Sequence, residues 1–353
     1  MANRALISTR KGLFIFRRSG REWSVDSSHF GGASVTLSFH EPRTGTLYAA
    51  LRHGHFGPKL HRSDDGCKSW IEITTPAFPA ELDGKPSLKQ VWSFAAGEDG
   101  TLWAGAIPAG VFKSDDKGAN WTLVESLWNL PDRARWFGGG YDEAGVHSIV
   151  CDPRDAEHVL VGISCGGVWE TRDSGHSWQV RTNGMYAAYA PPEQKFDPAI
   201  QDPHRMVHCP ADPDVMWIQH HNGVFRTANG GSEWQELHPP VSNFGFAVAA
   251  HPARPTTAWF VPALSDQRRE PVDGRVVVNR TDDGGKSFQT MTHGLPREQA
   301  YDLVYRHGLV VDESGERLAM GSTTGGLWFS DNGGESWNLS SARLPPIYAV
   351  DFA

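Results

Sequence analysis

Residues 147–181 alternate apolar and polar side chains in four short runs. HSIVCDP (147–153), HVLVGIS (158–164), GGVWETRD (166–173) and SWQVR (177–181) each carry the two-residue period of a β-strand. Asp, Pro, Gly or Ser interrupts the pattern at every junction. Four such runs joined by tight turns predict a four-stranded antiparallel sheet, one blade of a β-propeller.

The same order recurs along the chain. Six segments share one pattern: SDDGCKSW from Ser63, SDDKGANW from Ser114, TRDSGHSW from Thr171, TANGGSEW from Thr227, TDDGGKSF from Thr281 and SDNGGESW from Ser330. Their starts are 51, 57, 56, 54 and 49 residues apart, so the chain is a repeat protein. A short Asp or Asn side chain accepts backbone N–H groups inside its own turn. Gly supplies the positive φ that the turn requires. The terminal Trp or Phe leads into the next strand and packs on the neighbouring blade. Cys67 replaces Gly in the first copy, and Asn229 and Asn332 replace Asp in two others. A catalytic carboxylate would not tolerate Asn, so the repeated turn reads as a structural device.

The six turns account for six blades. RALIST, GLFIFRR and EWSVDSS at the N-terminus supply strands two to four of a seventh, around a degenerate turn in FRRSGREW, and IYAVDFA at the C-terminus is an unpaired strand. The chain therefore reads as one all-β domain, residues 1–353: a seven-bladed β-propeller whose C-terminal strand completes the N-terminal blade. Closure removes the open sheet edges.

The repeated segments resemble the Asp-box, or BNR, repeat. The whole chain is similar to the bacterial sialidase-like proteins named "glycosyl hydrolase, BNR repeat", including STRKGLF near the start and HSIVCDPRD in blade four. That resemblance implies the propeller fold and carbohydrate-directed chemistry. A sialidase would bring a "RIP" arginine segment, a Tyr–Glu nucleophile pair and an Asp acid/base; STRKG is the nearest segment here and does not match.

Composition narrows the function classes. The formal net charge of −8 argues against a nucleic-acid partner. No apolar run approaches the roughly 18–20 residues of a membrane span. The start MANRALISTRKGLFIF does not have the order of a signal peptide. Cys67, Cys151, Cys165 and Cys209 form no CxxC pair, and reduced thiols in a cytoplasmic protein are expected.

Strand order sorts the loops. The repeated turns and the turns between first and second strands share one end of each sheet. The turns between second and third strands and the loops between blades share the other. Three long insertions fall at the latter end: 128–145, 183–203 and 265–275. Such loops over a rigid scaffold are where function concentrates. Aligning the innermost strands puts His147, His204 and His307 at one equivalent position in blades four, five and seven, with Phe246 in blade six. Turns after second strands add His53 and His55, Cys165, and His220 and His221; Arg52, Arg205, Tyr301 and Asp302 fall nearby.

These imidazoles predict a divalent-metal site (Zn, Mn or similar) with His147, His204 and His221 as first ligands and His53, His220 and His307 next. A metal-free site for an anionic or polyhydroxylated ligand and a set of structural histidines are the other readings. Asp302, Tyr301, Arg52 and Arg205 are the catalytic candidates. Cys165 is either a nucleophile or a small residue in a tight SCGG turn. Asp142, Glu143, Asp202 and Asp302 occupy the same end without a spacing that singles out a carboxylate pair. His158 and seven others are given no chemistry. The expected activity is a hydrolase or lyase on a small polar or sugar-like substrate, metal-assisted. The alternatives are a metal-free sialidase-like glycoside hydrolase and a non-catalytic module holding carbohydrate or protein.

Overall fold

The computed structural model describes residues 1–82, 84–138 and 141–353; Gly139 and Gly140 of the 128–145 insertion lie outside them. The chain forms seven four-stranded antiparallel sheets, a seven-bladed β-propeller. Its last strand, Ile347–Phe352, lies beside its first, Arg4–Thr9, with Ala5 opposite Phe352 and Ile7 opposite Val350. Gly12–Ser19 and Glu22–His29 complete that sheet, so the closure expected from the two orphan ends is realised. Among the described residues no helix is long and apolar enough to cross a membrane.

The chain divides into two compact units, Phe39–Met206 and Met1–Ser38 with Val207–Ala353. In the first, sheet three (Gln90–Ala96, Leu102–Ile107, Val111–Ser114, Thr122–Leu123) precedes sheet four (Val146–Asp152, Asp155–Ile163, Gly167–Thr171, Gln179–Val180). Trp103, Val111, Val146, Val161, Ile163 and Trp169 pack into one core across them. Burying such side chains contributes roughly 1.5–3 kcal/mol each. The run SWQVR yields only Gln179–Val180 as ladder. Its Trp178 turns inward and donates Nε1–H to Ser126 Oγ at 3.1 Å, and Arg181 is drawn to Glu170.

The second unit holds similar cores. Trp259, Val278, Leu318, Met320 and Trp328 pack between sheet six (Gly245–Ala250, Ala258–Pro262, Val278–Thr281, Gln289–Met291) and sheet seven (Leu309–Val311, Leu318–Gly321, Leu327–Ser330, Asn338–Ser341). Ile7, Phe16, Phe329, Val350 and Phe352 join sheet seven to the closing sheet.

The repeated turns work as hydrogen-bonding devices. Asp65 Oδ1 accepts the Ser69 N–H at 2.9 Å and the Ser63 hydroxyl at 2.9 Å, while Ser69 Oγ donates to Oδ2 at 2.6 Å. These bonds, the Ser69 hydroxyl foremost, hold the Asp65 carboxyl down at about 2. Asn229 Oδ1 takes the same place, accepting the Glu233 N–H at 3.1 Å. Gly118, Gly175 and Gly334 sit at φ 83°, 89° and 87°; Cys67 takes glycine's position at φ 73°.

Candidate functional site

The loop end of the first unit is built on the turn Ser164–Cys165–Gly166 between the second and third strands of sheet four. Cys165 is left-handed, at φ 45°, and buried. A Cβ on Gly166 would come within 2.6 Å of Ile163 and 3.1 Å of Trp136, so the turn has no room for a side chain there. Its backbone organises both long loops around it. The Cys165 N–H donates to Asp202 Oδ1 at 3.0 Å, and its carbonyl accepts the Phe137 N–H at 3.3 Å.

Asp202 ends the 183–203 insertion. Asp197 caps the short turn Pro198–Ile200 by accepting the Ala199 N–H at 3.0 Å, and Arg135 of the 128–145 insertion ion-pairs with Asp197. The Gln201 carbonyl accepts the Gly167 N–H at 2.9 Å, and its side-chain amide donates to the carbonyls of Lys195 and Asp197. Held this way, Asp202 Oδ2 lies 3.4 Å from Nε2 of His204, and both residues are 2% exposed. The pair is two residues apart at the start of an extended strand, so both side chains project to one side. The Tyr189 hydroxyl donates to the Ile200 carbonyl at 2.5 Å. Burial, then the Asp202 charge, then the Cys165 thiol, push its pKa far upward.

Each histidine has its own packing neighbours within its unit. His147 and His204 are each second in their innermost strands, Val146–Asp152 and Pro203–Cys209, as Phe246 is in Gly245–Ala250. For His307 the expectation of a strand start is corrected. The Gly308 N–H turns back to the Tyr305 carbonyl, so the ladder begins at Leu309, and His307 bridges to Ala349 and its carbonyl accepts the Val350 N–H at 2.8 Å. His147 is fully buried, edge-on to Trp92 at 5.7 Å, with Nδ1 2.9 Å from Ser148 Oγ. Arg205 donates to the His147 carbonyl at 3.2 Å. His53 and His55 flank Phe56 at 5.5 Å each, in an exposed turn after Arg52.

In the second unit His220 ends the strand Asp212–His220, packs on Phe225 at 5.3 Å and accepts the Asn222 N–H on Nδ1 at 3.4 Å. His221 packs on Phe244 at 5.6 Å. Tyr301 is 67% exposed. Asp302 accepts the hydroxyls of Ser322, at 2.7 Å, and Thr324, which ties it to the loop that follows Leu318–Gly321.

Two features escaped the sequence reading. The Asp202–His204 pair was present as the spacing in QDPH, but Asp202 was weighed only against other carboxylates. His158, given no chemistry, is buried with Nδ1 2.9 Å from Asp152 and Nε2 2.8 Å from Glu170. It lies at the repeated-turn end of sheet four. A groove of about 610 Å³ opens at that same end, lined by Lys113, Asp115, Asn120, Glu125, Ser126 and His176. The neighbouring Asp115 and Asp116 carboxylates are taken up by Thr101, Ser114 and Asn120.

Exposed aromatics mark the loop end instead. Among the described residues of the first unit, Phe56, Phe137, Tyr141, Tyr189 and Phe196 are the large exposed aromatic side chains, and all five lie in second-to-third-strand turns or inter-blade loops. The exposed aliphatic Ile71 lies on an outer strand. Of the five aromatics, Tyr189 lies near Asp202 and Phe137 is held on the Cys165 turn.

No family model matches the sequence. The oligoxyloglucan-reducing end-specific xyloglucanase of Emericella nidulans is 23% identical over 269 residues, which are 69% of this chain and 31% of that protein. The chain thus spans less than a third of that relative's length. Among solved structures, the GH74 xyloglucanase of Xanthomonas campestris superposes with a TM-score of 0.66 at 18% identity, over 97% of this chain and 53% of its own. YCF48 bound to D1 peptide superposes with a TM-score of 0.54 at 14% identity, over 87% of this chain and 81% of its own. Likenesses at this level establish the propeller fold.

Proposed function

We propose that the chain is a glycoside hydrolase of the Asp-box propeller type, acting on an oligosaccharide at the loop end of the first unit. The observation that carries the reading is the Asp202–His204 pair, 3.4 Å apart and buried at the root of a long loop. The xyloglucanase names of its relatives and the aromatic rim support a carbohydrate substrate.

A carboxylate beside one ring nitrogen fixes the imidazole's orientation and favours its protonated form, the arrangement of a general acid–base group. In hydrolysis the glycosidic C–O bond breaks, its oxygen takes a proton from His204, and water adds to the anomeric carbon while giving up a proton. The second carboxylate that such chemistry uses is drawn from Asp142 and Glu143 of the 128–145 insertion; Glu143 already meets Lys89 at 2.6 Å.

The Asp202 carboxylate and the His204 imidazole are also donors suited to Zn or Mn, so metal-assisted hydrolysis is the second reading.

The test is release of reducing ends from xyloglucan oligosaccharides, cello-oligosaccharides and sialyllactose, with and without added Zn²⁺ or Mn²⁺. Cleavage of a neutral oligosaccharide is expected. An absence of cleavage under all conditions overturns the hydrolase reading. Metal-independent turnover by protein that carries no bound metal overturns the second reading.

A further inference from the structure

We infer that Phe137 and Tyr189 form a stacking subsite for one pyranose ring of a neutral oligosaccharide, mounted on the Cys165 turn beside Asp202. The inference builds on the proposed function but is tested apart from it.

Both aromatics are held close to the same three-residue turn. The Phe137 backbone donates to the Cys165 carbonyl at 3.3 Å, and the neighbouring Trp136 packs on Trp169 at 5.8 Å. The Tyr189 hydroxyl is spent on the Ile200 carbonyl, one of the last links before Asp202, and lies close enough to the Cys165 thiol and the Asp202 carboxylate to feel both. With their attachments fixed, the two side chains still leave 45% and 43% of their surface to solvent. A tyrosine whose hydroxyl is tied down while its ring stays exposed offers a rigid apolar face at little entropic cost on binding. The apolar C–H face of a pyranose is the complement of such a ring.

Charge selects the class of sugar. The arginines of the 128–145 insertion and of the strand after 183–203 are already committed. Arg135 pairs with Asp197 and Asp132, and Arg133 lies over the Trp128 ring at 3.3 Å and donates to the Ala109 carbonyl. Arg205 holds the His147 carbonyl. A carboxylate-bearing sugar would meet the buried Asp202 instead of a guanidinium clamp, so the neutral sugar is favoured.

The experiment measures Kd by calorimetry for cellotetraose, a xyloglucan heptasaccharide and sialyllactose, using His204→Gln protein so that turnover does not interfere. Phe137→Ala and Tyr189→Ala, made in that background, are expected to weaken neutral-oligosaccharide binding by about tenfold or more, the loss typical of a central aromatic contact. Tyr189→Phe, which keeps the ring and loses only its tie to Ile200, should weaken binding less than Tyr189→Ala, and Ile71→Ala, on a distant outer strand, should leave it unchanged. Melting curves verify that each variant folds. Unchanged Kd in both alanine variants, or preference for sialyllactose, overturns the subsite. In the wild-type background the same variants should raise KM and leave kcat nearly alone. If wild type binds and these variants do not, yet nothing is cleaved, the subsite stands and the hydrolase reading falls. If cleavage proceeds with KM unmoved, the reverse holds.

Discussion

An acid–imidazole assembly lies near each end of sheet four, His158 within the sheet and Asp202–His204 at the start of the strand that follows it, and the two differ in what braces the carboxylates. At the repeated-turn end both nitrogens of His158 face carboxylates, Asp152 at 2.9 Å and Glu170 at 2.8 Å, which favours the protonated ring. Arg154 braces Asp152 at 2.7 Å, and Arg172 and Arg181 brace Glu170. At the loop end Asp202 faces one nitrogen of His204 at 3.4 Å and is steadied by a backbone N–H. The exposed aromatics Phe137 and Tyr189 lie near it. A proton held between two buried carboxylates cannot leave without stranding a charge. On the proposed reading, the proton that His204 holds beside Asp202 is the one passed to substrate. The same two residue types thus build a clasp at one end and a candidate acid–base group at the other.

The contrast breaks most sharply at His204. His204→Gln should lower kcat on the substrate found by the reducing-end assay by about 10²–10⁴-fold, the range for a lost acid–base group, while the melting temperature falls less than in His158→Gln, because a single carboxylate loses its partner and it keeps the Cys165 N–H. His158→Gln should do the opposite. It strands two carboxylates that are at most 5% exposed, a loss of about 3–5 kcal/mol by denaturant unfolding, while the folded protein keeps its kcat. If His158→Gln abolished turnover in folded protein, or His204→Gln unfolded it, the assignment of clasp and site would be reversed.

The pH dependence of stability sharpens the same point. Burial opposes the charged His158 ring, but Glu170 and Asp152 outweigh it and raise its pKa above the ordinary 6.5. Burial likewise opposes ionisation of Glu170, and His158 and the arginines overcome it, holding the carboxyl at about 2; Asp152 is lowered in the same way by Arg154 and His158. The His158 contribution is therefore full below pH 6.5 and is lost as the pH rises through its raised value. The carboxylate contributions are full above about pH 4.5 and are lost as the pH falls toward 2. The stability gap between wild type and His158→Gln should be widest near pH 5–6 and close on both sides. A gap constant from pH 3 to 9 would mean that packing, not charge, holds the clasp.

Most of the fold was legible because its signals are local. Alternation within runs such as HVLVGIS, and a turn repeated six times, need no tertiary information, and the two orphan end strands left one economical pairing. The site was legible only in outline. The loop end and the equivalence of His147, His204 and Phe246 followed from strand order. Which histidine would meet a carboxylate did not, because the path of 183–203 depends on Asp197 finding Arg135 and on the Cys165 amide finding Asp202. His158 was missed for a similar reason. Glu170 lies opposite Leu160, two residues along the strand on the same face as His158. That register exists only once the sheet is assembled.

The smallest effect should come from a carboxylate that resembles a catalytic one most in sequence. Asp65 ionises readily, yet its job is to offer oxygens to Ser63 and Ser69. Asn229 and Asn332 do the same in other copies, Asn332 Oδ1 accepting the Ser336 N–H at 3.0 Å. The turn therefore needs an acceptor and not a charge. Asp65→Asn should leave the melting temperature and turnover near wild type, and Asp65→Ala should lower the melting temperature alone. Should Asn prove as harmful as Ala in calorimetry, charge matters in the repeated turn as it does at His158. The line between ionic clasp and neutral hydrogen-bonding device would then have to be redrawn.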